Sequence, residues 1–152
     1  MRRSHLARYL AALFVPVGER LTWQTFGERA DVRGARKLAR TWTAPAREAL
    51  PELRRLNKAG AGVFMCVQYT DGRGRKAGNI TKIRALFVDI EDTDDRTWHL
   101  DPALIVRTGK GRHAYWCVAD DMPLDQFKSA QRRLAAMYRA DPAVHDLPRV
   151  MR

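Results

Sequence analysis

Cysteine is scarce in this chain. Cys66 and Cys117 stand far apart, each inside an apolar run, and no Cys-x-x-Cys pair exists. That excludes a structural zinc site built from cysteines, and two small thiols of this kind point to a reducing, cytoplasmic setting. No apolar run is long enough to span a membrane. The basic opening Met1-Arg-Arg-Ser-His5 is followed by a stretch that Arg8 and Tyr9 interrupt, with no small-residue cleavage site, so no signal peptide is expected. Internal repeats and low-complexity segments are absent. Acid is in short supply too, with 17 Asp and Glu against 28 Lys and Arg, a net charge of +11. A pI near 10.5 favours phosphate-rich partners, nucleic acid above all, through counterion release and long-range attraction.

What the chain does have is enough length, at 152 residues, for one domain with a proper core. Residues 1–152 are therefore taken as a single domain. Leu6, Leu10, Leu13 and Phe14 recur at helical spacing, predicting a helix from Arg3 to about Val15 that Pro16 and Gly18 stop. Leu21 to Phe26 alternates like a short strand ending at Gly27. Val32, Ala35, Leu38, Ala39 and Trp42 space as a helix face. A further helix is expected from Pro45 through Leu50, Leu53 and Leu56 to Lys58, with Pro51 able to shorten or kink it. Val63–Thr70 reads as a strong strand. It leads into Asp71-Gly-Arg-Gly-Arg-Lys-Ala-Gly78, a glycine-rich basic loop without the Gly-Lys-Ser/Thr ending of a P-loop. Arg73, Arg75 and Lys76 in it are suited to tracking a nucleic-acid backbone.

The most informative stretch is Ile83-Arg-Ala-Leu-Phe-Val-Asp-Ile-Glu-Asp92. Alternation puts Ala85, Phe87, Asp89 and Glu91 on one face of a strand and Leu86, Val88 and Ile90 on the other. Two carboxylates side by side at the rim of a core strand repel unless a cation or proton holds them. Mg²⁺ or Mn²⁺ is the usual oxygen-ligated solution. The alternative is that Asp89, Glu91 and Asp92 merely open a polar loop, in which Asp94 and Asp95 serve solvation. Next, Ala103–Arg107 and Arg112–Val118 around Thr108-Gly-Lys-Gly111 read as a β-hairpin, with His113, Tyr115 and Cys117 on one face. Lys110 and Arg112 add charge near its turn. Asp121 and Pro123 introduce a helix with Phe127, Ala130, Leu134 and Met137 inward. The tail carries Asp146, Arg149 and Arg152. Three carboxylates converging from separate elements would hold two divalent ions about 3.5–4 Å apart, the arrangement used for in-line phosphoryl transfer. Arginine forks beside them would match phosphate oxygens.

The ordered set Asp89-Ile-Glu91, Gly111-Arg-His113 and Val144-His-Asp-Leu-Pro-Arg-Val150 resembles the archaeo-eukaryotic primase superfamily, most of all the RepB-type primases of plasmids, phages and other mobile elements. Flanking text carries the resemblance from about Leu21 to Arg152: Leu21-Thr-Trp-Gln-Thr-Phe26, Gly62-Val-Phe64, Thr70-Asp-Gly-Arg-Gly-Arg-Lys76, Arg84-Ala-Leu-Phe-Val-Asp89 and Gly111-Arg-His-Ala-Tyr-Trp116. It implies an α+β fold, an antiparallel RRM-like palm sheet flanked by helices with a small N-terminal α/β unit. It also implies metal ligation by Asp89, Glu91 and Asp146, contact of His113 with the incoming nucleotide's phosphates, and Arg149, with Arg152 beside it, near the triphosphate or primer. His145 matches a variable position. The implied activity is a DNA primase or primase-polymerase, a Mg²⁺- or Mn²⁺-dependent nucleotidyltransferase. Its implied partners are a single-stranded DNA template, nucleoside triphosphates and a replicative helicase domain or protein. Relatives continue past the position of Arg152, so a C-terminally truncated domain is expected.

Rival readings are a replication-associated DNA-binding protein with weak or no turnover, and a metal-dependent nuclease built on a similar carboxylate site. A relaxase-type nickase would need a His-hydrophobe-His pair, which His5, His99, His113 and His145 do not form.

Overall fold

A computed structural model describes residues 4–27, 35–91, 97–119 and 122–152. The chain divides into two compact units that exchange segments. One comprises Met1–Val15 with Lys82–Leu147, the other Pro16–Thr81 with Pro148–Arg152. Each is an antiparallel sheet with helical cover, so the fold is the mixed α+β class that the resemblance implies.

The first unit opens with helix α1, His5–Ala12. The Ser4 side chain caps it by accepting from the Ala7 N–H. It ends earlier than Val15 because Phe14 turns left-handed at φ 52°. The Phe14 N–H then reaches the Ala11 carbonyl and the Val15 N–H the Leu10 carbonyl, a closure that satisfies carbonyls the helix end would otherwise orphan. The sheet of this unit is β6 (Ala85–Ile90), β8 (Arg112–Cys117) and β7 (Leu104–Arg107), in that spatial order. Its β7–β8 hairpin is as the sequence predicts. Val88, Ile90, Ala114 and Trp116 line one face and pack with Leu134 and Tyr138 of helix α3 (Phe127–Met137) and its end. Trp116 stacks on Tyr138 with 5.2 Å between centroids and its Nε1 donates to the Leu100 carbonyl at 3.0 Å. On the other face Tyr115 meets Tyr9 of α1 edge-on.

In the second unit the sheet order is β2 (Arg40–Pro45), β1 (Arg20–Gly27), β3 (Ala61–Cys66) and β9 (Val150–Met151), all antiparallel. Helix α2, Ala46–Lys58, lies against β1 and β3 and buries Ala49, Leu53 and Leu56. It runs on through Pro51. A small ladder joins β4 (Tyr69–Thr70) to β5 (Ile80–Lys82), so the expected strand Val63–Thr70 is two strands.

Two expectations are corrected. The helix assigned to Val32–Trp42 is, from Ala35 on, a short 3-10 turn at Ala35–Leu38 followed by strand β2; Val32 and Arg33 lie outside the described residues. Thr41-Trp42-Thr43 are β-branched and aromatic, and pairing with Gln24, Trp23 and Thr22 overrides the helical spacing of Ala35, Leu38, Ala39 and Trp42. In α3 the buried set is Phe127, Gln131, Leu134 and Ala135, whereas Met137 is 54% exposed. The helix is already ending there, and Arg139 takes φ 49° to close it. The start expected at Asp121 lies outside the described residues.

Gln131 is the unforeseen core residue. Wholly buried, its side-chain amide accepts from the Phe87 N–H, donates to the Phe87 carbonyl and donates to the Val144 carbonyl. It thus acts as a one-residue extension of the sheet on the outer edge of β6. Gln131→Leu keeps the volume and strands three backbone groups. A loss of roughly 2–4 kcal/mol, at about 1–3 kcal/mol for each group left without a partner and some relaxation, is expected in urea unfolding.

Candidate active site

Strand β6 ends in the acids, and its hydrogen bonding decides how they face β8. The Phe87 backbone groups pair with Gln131, and the Asp89 carbonyl accepts from the Asp141 N–H at 2.9 Å. Both residues therefore direct their main-chain groups away from β8, while Arg84, one step out of phase, accepts from the Val118 N–H. In the register Asp89↔His113 the pair is consequently of the non-hydrogen-bonded kind, where opposed side chains come closest. His113 Nε2 stands 3.5 Å from Asp89 Oδ1, at the outer limit of a hydrogen bond.

The two side chains differ in solvation. The His113 side chain is 10% exposed and that of Asp89 37%. Burial pushes the His113 pKa down, and the nearby Asp89 charge opposes this without overcoming it. The imidazole is thereby held neutral, and the Asp89 charge is not cancelled by it. Among the described residues, buried His113 Nδ1 meets no hydrogen-bond partner. Beneath the pair, Tyr115 is fully buried and its ring meets His113 edge-on at 6.5 Å. Burial first, then Tyr9 and Asp89, raise the Tyr115 pKa well above the ordinary phenol value.

Glu91 follows β6 as an exposed residue. The turn Thr108–Gly111 presses on the same strand end: a Cβ on Gly111 would fall 1.9 Å from the Ile90 carbonyl oxygen and 2.8 Å from the Glu91 Cα. Only glycine permits that approach. The Thr108 hydroxyl accepts from the Gly111 N–H at 2.9 Å, and Thr108 N–H donates to the Gly111 carbonyl at 2.8 Å. Arg107 and Arg112 lie opposite each other beside exposed Lys110, a like-charge pairing that costs stability on its own and suits an anion. Arg107 was not singled out from sequence, since it falls in an apolar run.

Asp146 is exposed in the segment between α3 and β9. That segment is tied to β6 by the Asp141–Asp89 backbone bond and by Gln131, which joins Phe87 to Val144. Among the described residues, no group of three or more His, Cys, Asp and Glu is gathered closely enough to hold a metal ion. Asp89, Glu91 and Asp146 offer carboxylate oxygens, the donor chemistry that hard divalent cations take. The structure brings Asp89 and His113 together and leaves Glu91 exposed, one residue past the end of β6. Asp92, Asp94 and Asp95 lie outside the described residues.

The remaining candidates belong to the second unit. Arg149 is half-buried, with its carbonyl near the Val67 N–H, and the exposed Arg152 places its guanidinium 5.1 Å from the Phe64 ring centroid. Arg73 and Lys76 are exposed in the glycine-rich loop. Arg75 is anchored there: Nε donates to Gln24 Oε1 at 2.9 Å and Nη1 to the Pro148 carbonyl at 3.3 Å.

No protein-family model and no curated protein matches the sequence. Solved structures do. The archaeo-eukaryotic primase domain of the cyanophage S-2L primase-polymerase aligns with TM-score 0.74 and 22% identity over 99% of this chain and 80% of that one. Primase RepB' aligns with TM-score 0.65 and 22% identity, covering 97% of this chain and 47% of that one. The catalytic domain of primase RepB' in complex with initiator DNA gives TM-score 0.62 and 22% identity, over 97% and 72%. The chain thus has the fold of archaeo-eukaryotic primase domains, including the RepB-like ones.

The His113 environment predicts a pH effect. A histidine whose folded pKa is depressed binds fewer protons in the folded state, so its stabilisation is present above the unfolded value near 6.5 and is lost as pH falls below it. Thermal melts from pH 8 to 5 should show a loss of stability that is smaller in His113→Gln. Asp89→Asn, which removes the opposing charge, should make the loss larger.

Proposed function

We propose that the chain is a primase-type nucleotidyltransferase, joining nucleotides on a single-stranded DNA template. The observation that carries this reading is the Asp89–His113 cross-strand pair, a carboxylate beside an imidazole that burial holds neutral and whose buried Nδ1 meets no partner among the described residues, on a fold shared with primase domains. One of those structures, the RepB' catalytic domain, is a complex with initiator DNA.

In the proposed reaction the 3′-oxygen of one nucleotide attacks the α-phosphorus of the next and pyrophosphate leaves. Asp89, Glu91 and Asp146 are the proposed holders of Mg²⁺ or Mn²⁺, which when bound supplies stabilisation of the attacking and leaving oxygens. His113, neutral and oriented by its strand, donates one ring N–H to a phosphate oxygen. Tyr115 and the strand register fix that ring, so the donor is aimed before substrate arrives. The guanidinium groups of Arg149 and Arg152 are the proposed contacts of nucleotide or primer phosphate, and Arg73, Lys76, Lys110 and Arg112 those of the DNA backbone. A plasmid, phage or other mobile replicon, a partner helicase and a cytoplasmic location complete the reading.

A second reading, a DNA-binding protein with little turnover, is favoured by one observation: no three carboxylate or imidazole groups are gathered among the described residues. Primer synthesis on single-stranded DNA separates the two. Wild type should incorporate nucleotides, and Asp89→Ala, Glu91→Ala and Asp146→Ala should each lower the rate about a hundredfold or more. An active wild type with all three variants at full rate contradicts the assignment. Salt-sensitive DNA binding without incorporation, even in Mn²⁺, supports the second reading, and strand degradation without nucleotide addition would reveal a nuclease.

A further inference from the structure

The two faces of the four-stranded sheet in the second unit differ. One carries the buried apolar side chains of Leu21, Trp23 and Met65. The other carries Thr22, Thr41, Thr43 and Gln24 together with two phenylalanines. Phe26 lies opposite Gly62, so no side chain faces it directly across the strand pair, and its ring meets the diagonal neighbour Phe64 edge-on with centroids 5.4 Å apart. Phe26 stays 38% exposed.

Each ring has an arginine over it, Arg75 at 5.9 Å from the Phe26 centroid and Arg152 at 5.1 Å from that of Phe64. Both are within cation–π range. Arg75 is held in place by Gln24 and the Pro148 carbonyl. Gln24 is itself buried and fixed by bonds from the Thr41 hydroxyl and to the Arg40 carbonyl. The aromatic pair is therefore flanked by cations, one of them prepositioned by a buried network.

Charge points to the occupant. This unit contains 15 Lys and Arg against 6 Asp and Glu, while the unit with Asp89 contains 13 against 11. Nearly all of the excess positive charge belongs to the unit that carries the aromatic pair. Two rings set among threonines and a glutamine form too small an apolar patch for a typical protein interface. Flat rings beside fixed cations suit a nucleobase and its phosphate.

We propose that Phe26 and Phe64, with Arg75 and Arg152, form a stacking site for a base of a single-stranded nucleic acid, whose backbone continues past Arg73 and Lys76. The site lies within one unit and does not rest on the catalytic reading. It is tested by fluorescence anisotropy of the full chain with labelled oligothymidylate in EDTA, which removes any metal-dependent contribution. Phe26→Leu, which keeps apolar volume and removes the flat ring, should weaken binding about tenfold; Phe26→Trp should retain it. An abasic strand of equal length should bind wild type about tenfold more weakly and Phe26→Leu with little further loss. Arg73→Ala should weaken both strands alike. Phe26→Leu binding oligothymidylate as wild type does, or losing the same factor on the abasic strand, overturns the proposal. Melting curves establish that the variants compared are folded.

Discussion

The pairing of β6 with β8 is the constraint on which the candidate chemistry depends. Side chains alternate along a strand, so a slip of one residue would send Asp89 to the α3 face and break its match with His113. Three local features hold the register. Gln131 occupies the free edge of β6 at Phe87, Gly111 lets the hairpin turn seat against Ile90, and Val88, Ile90, Ala114 and Trp116 form an apolar face that tolerates no polar replacement cheaply. The acid and the imidazole are thus set by packing on the opposite side of the same sheet.

Charge is divided between the units in a way that fits a polyanionic partner. The acids of the candidate centre sit in a unit close to neutrality, and most of the net charge of +11 lies in the other. A basic surface raises the local concentration of a nucleic-acid strand through long-range attraction. A carboxylate centre surrounded by many cations would instead have its affinity for divalent ions reduced by competing positive charge.

Much of this was legible in the sequence because local pattern and tertiary context agreed. The faces of Ala85–Ile90, the hairpin at Thr108–Gly111 and the strand at Leu21–Phe26 follow from alternation and turn chemistry, and the structure places them so, while Glu91, expected on the same strand, lies just beyond its end. Strand β2 was missed because Ala35, Leu38, Ala39 and Trp42 are spaced like a helix face and only pairing with β1 decides the strand. Gln131 was missed because a polar residue on an amphipathic helix reads as solvent-facing unless its backbone partners are known. Phe26 and Phe64 come from strands separated by a helix, and their contact depends on Gly62 lying opposite Phe26. The gathering of Asp146 with Asp89 and Glu91 concerns groups that repel one another without a cation, so sequence pattern alone does not fix it.

The most direct test of the central claim is paramagnetic broadening of the His113 ring protons by Mn²⁺, followed by NMR. If Asp89 holds a divalent ion beside His113, near-stoichiometric Mn²⁺ will broaden those resonances before the rings of His5 and His99, and Asp89→Asn will abolish the preference. Uniform broadening of all the histidines, or selective broadening that persists in Asp89→Asn, would contradict it.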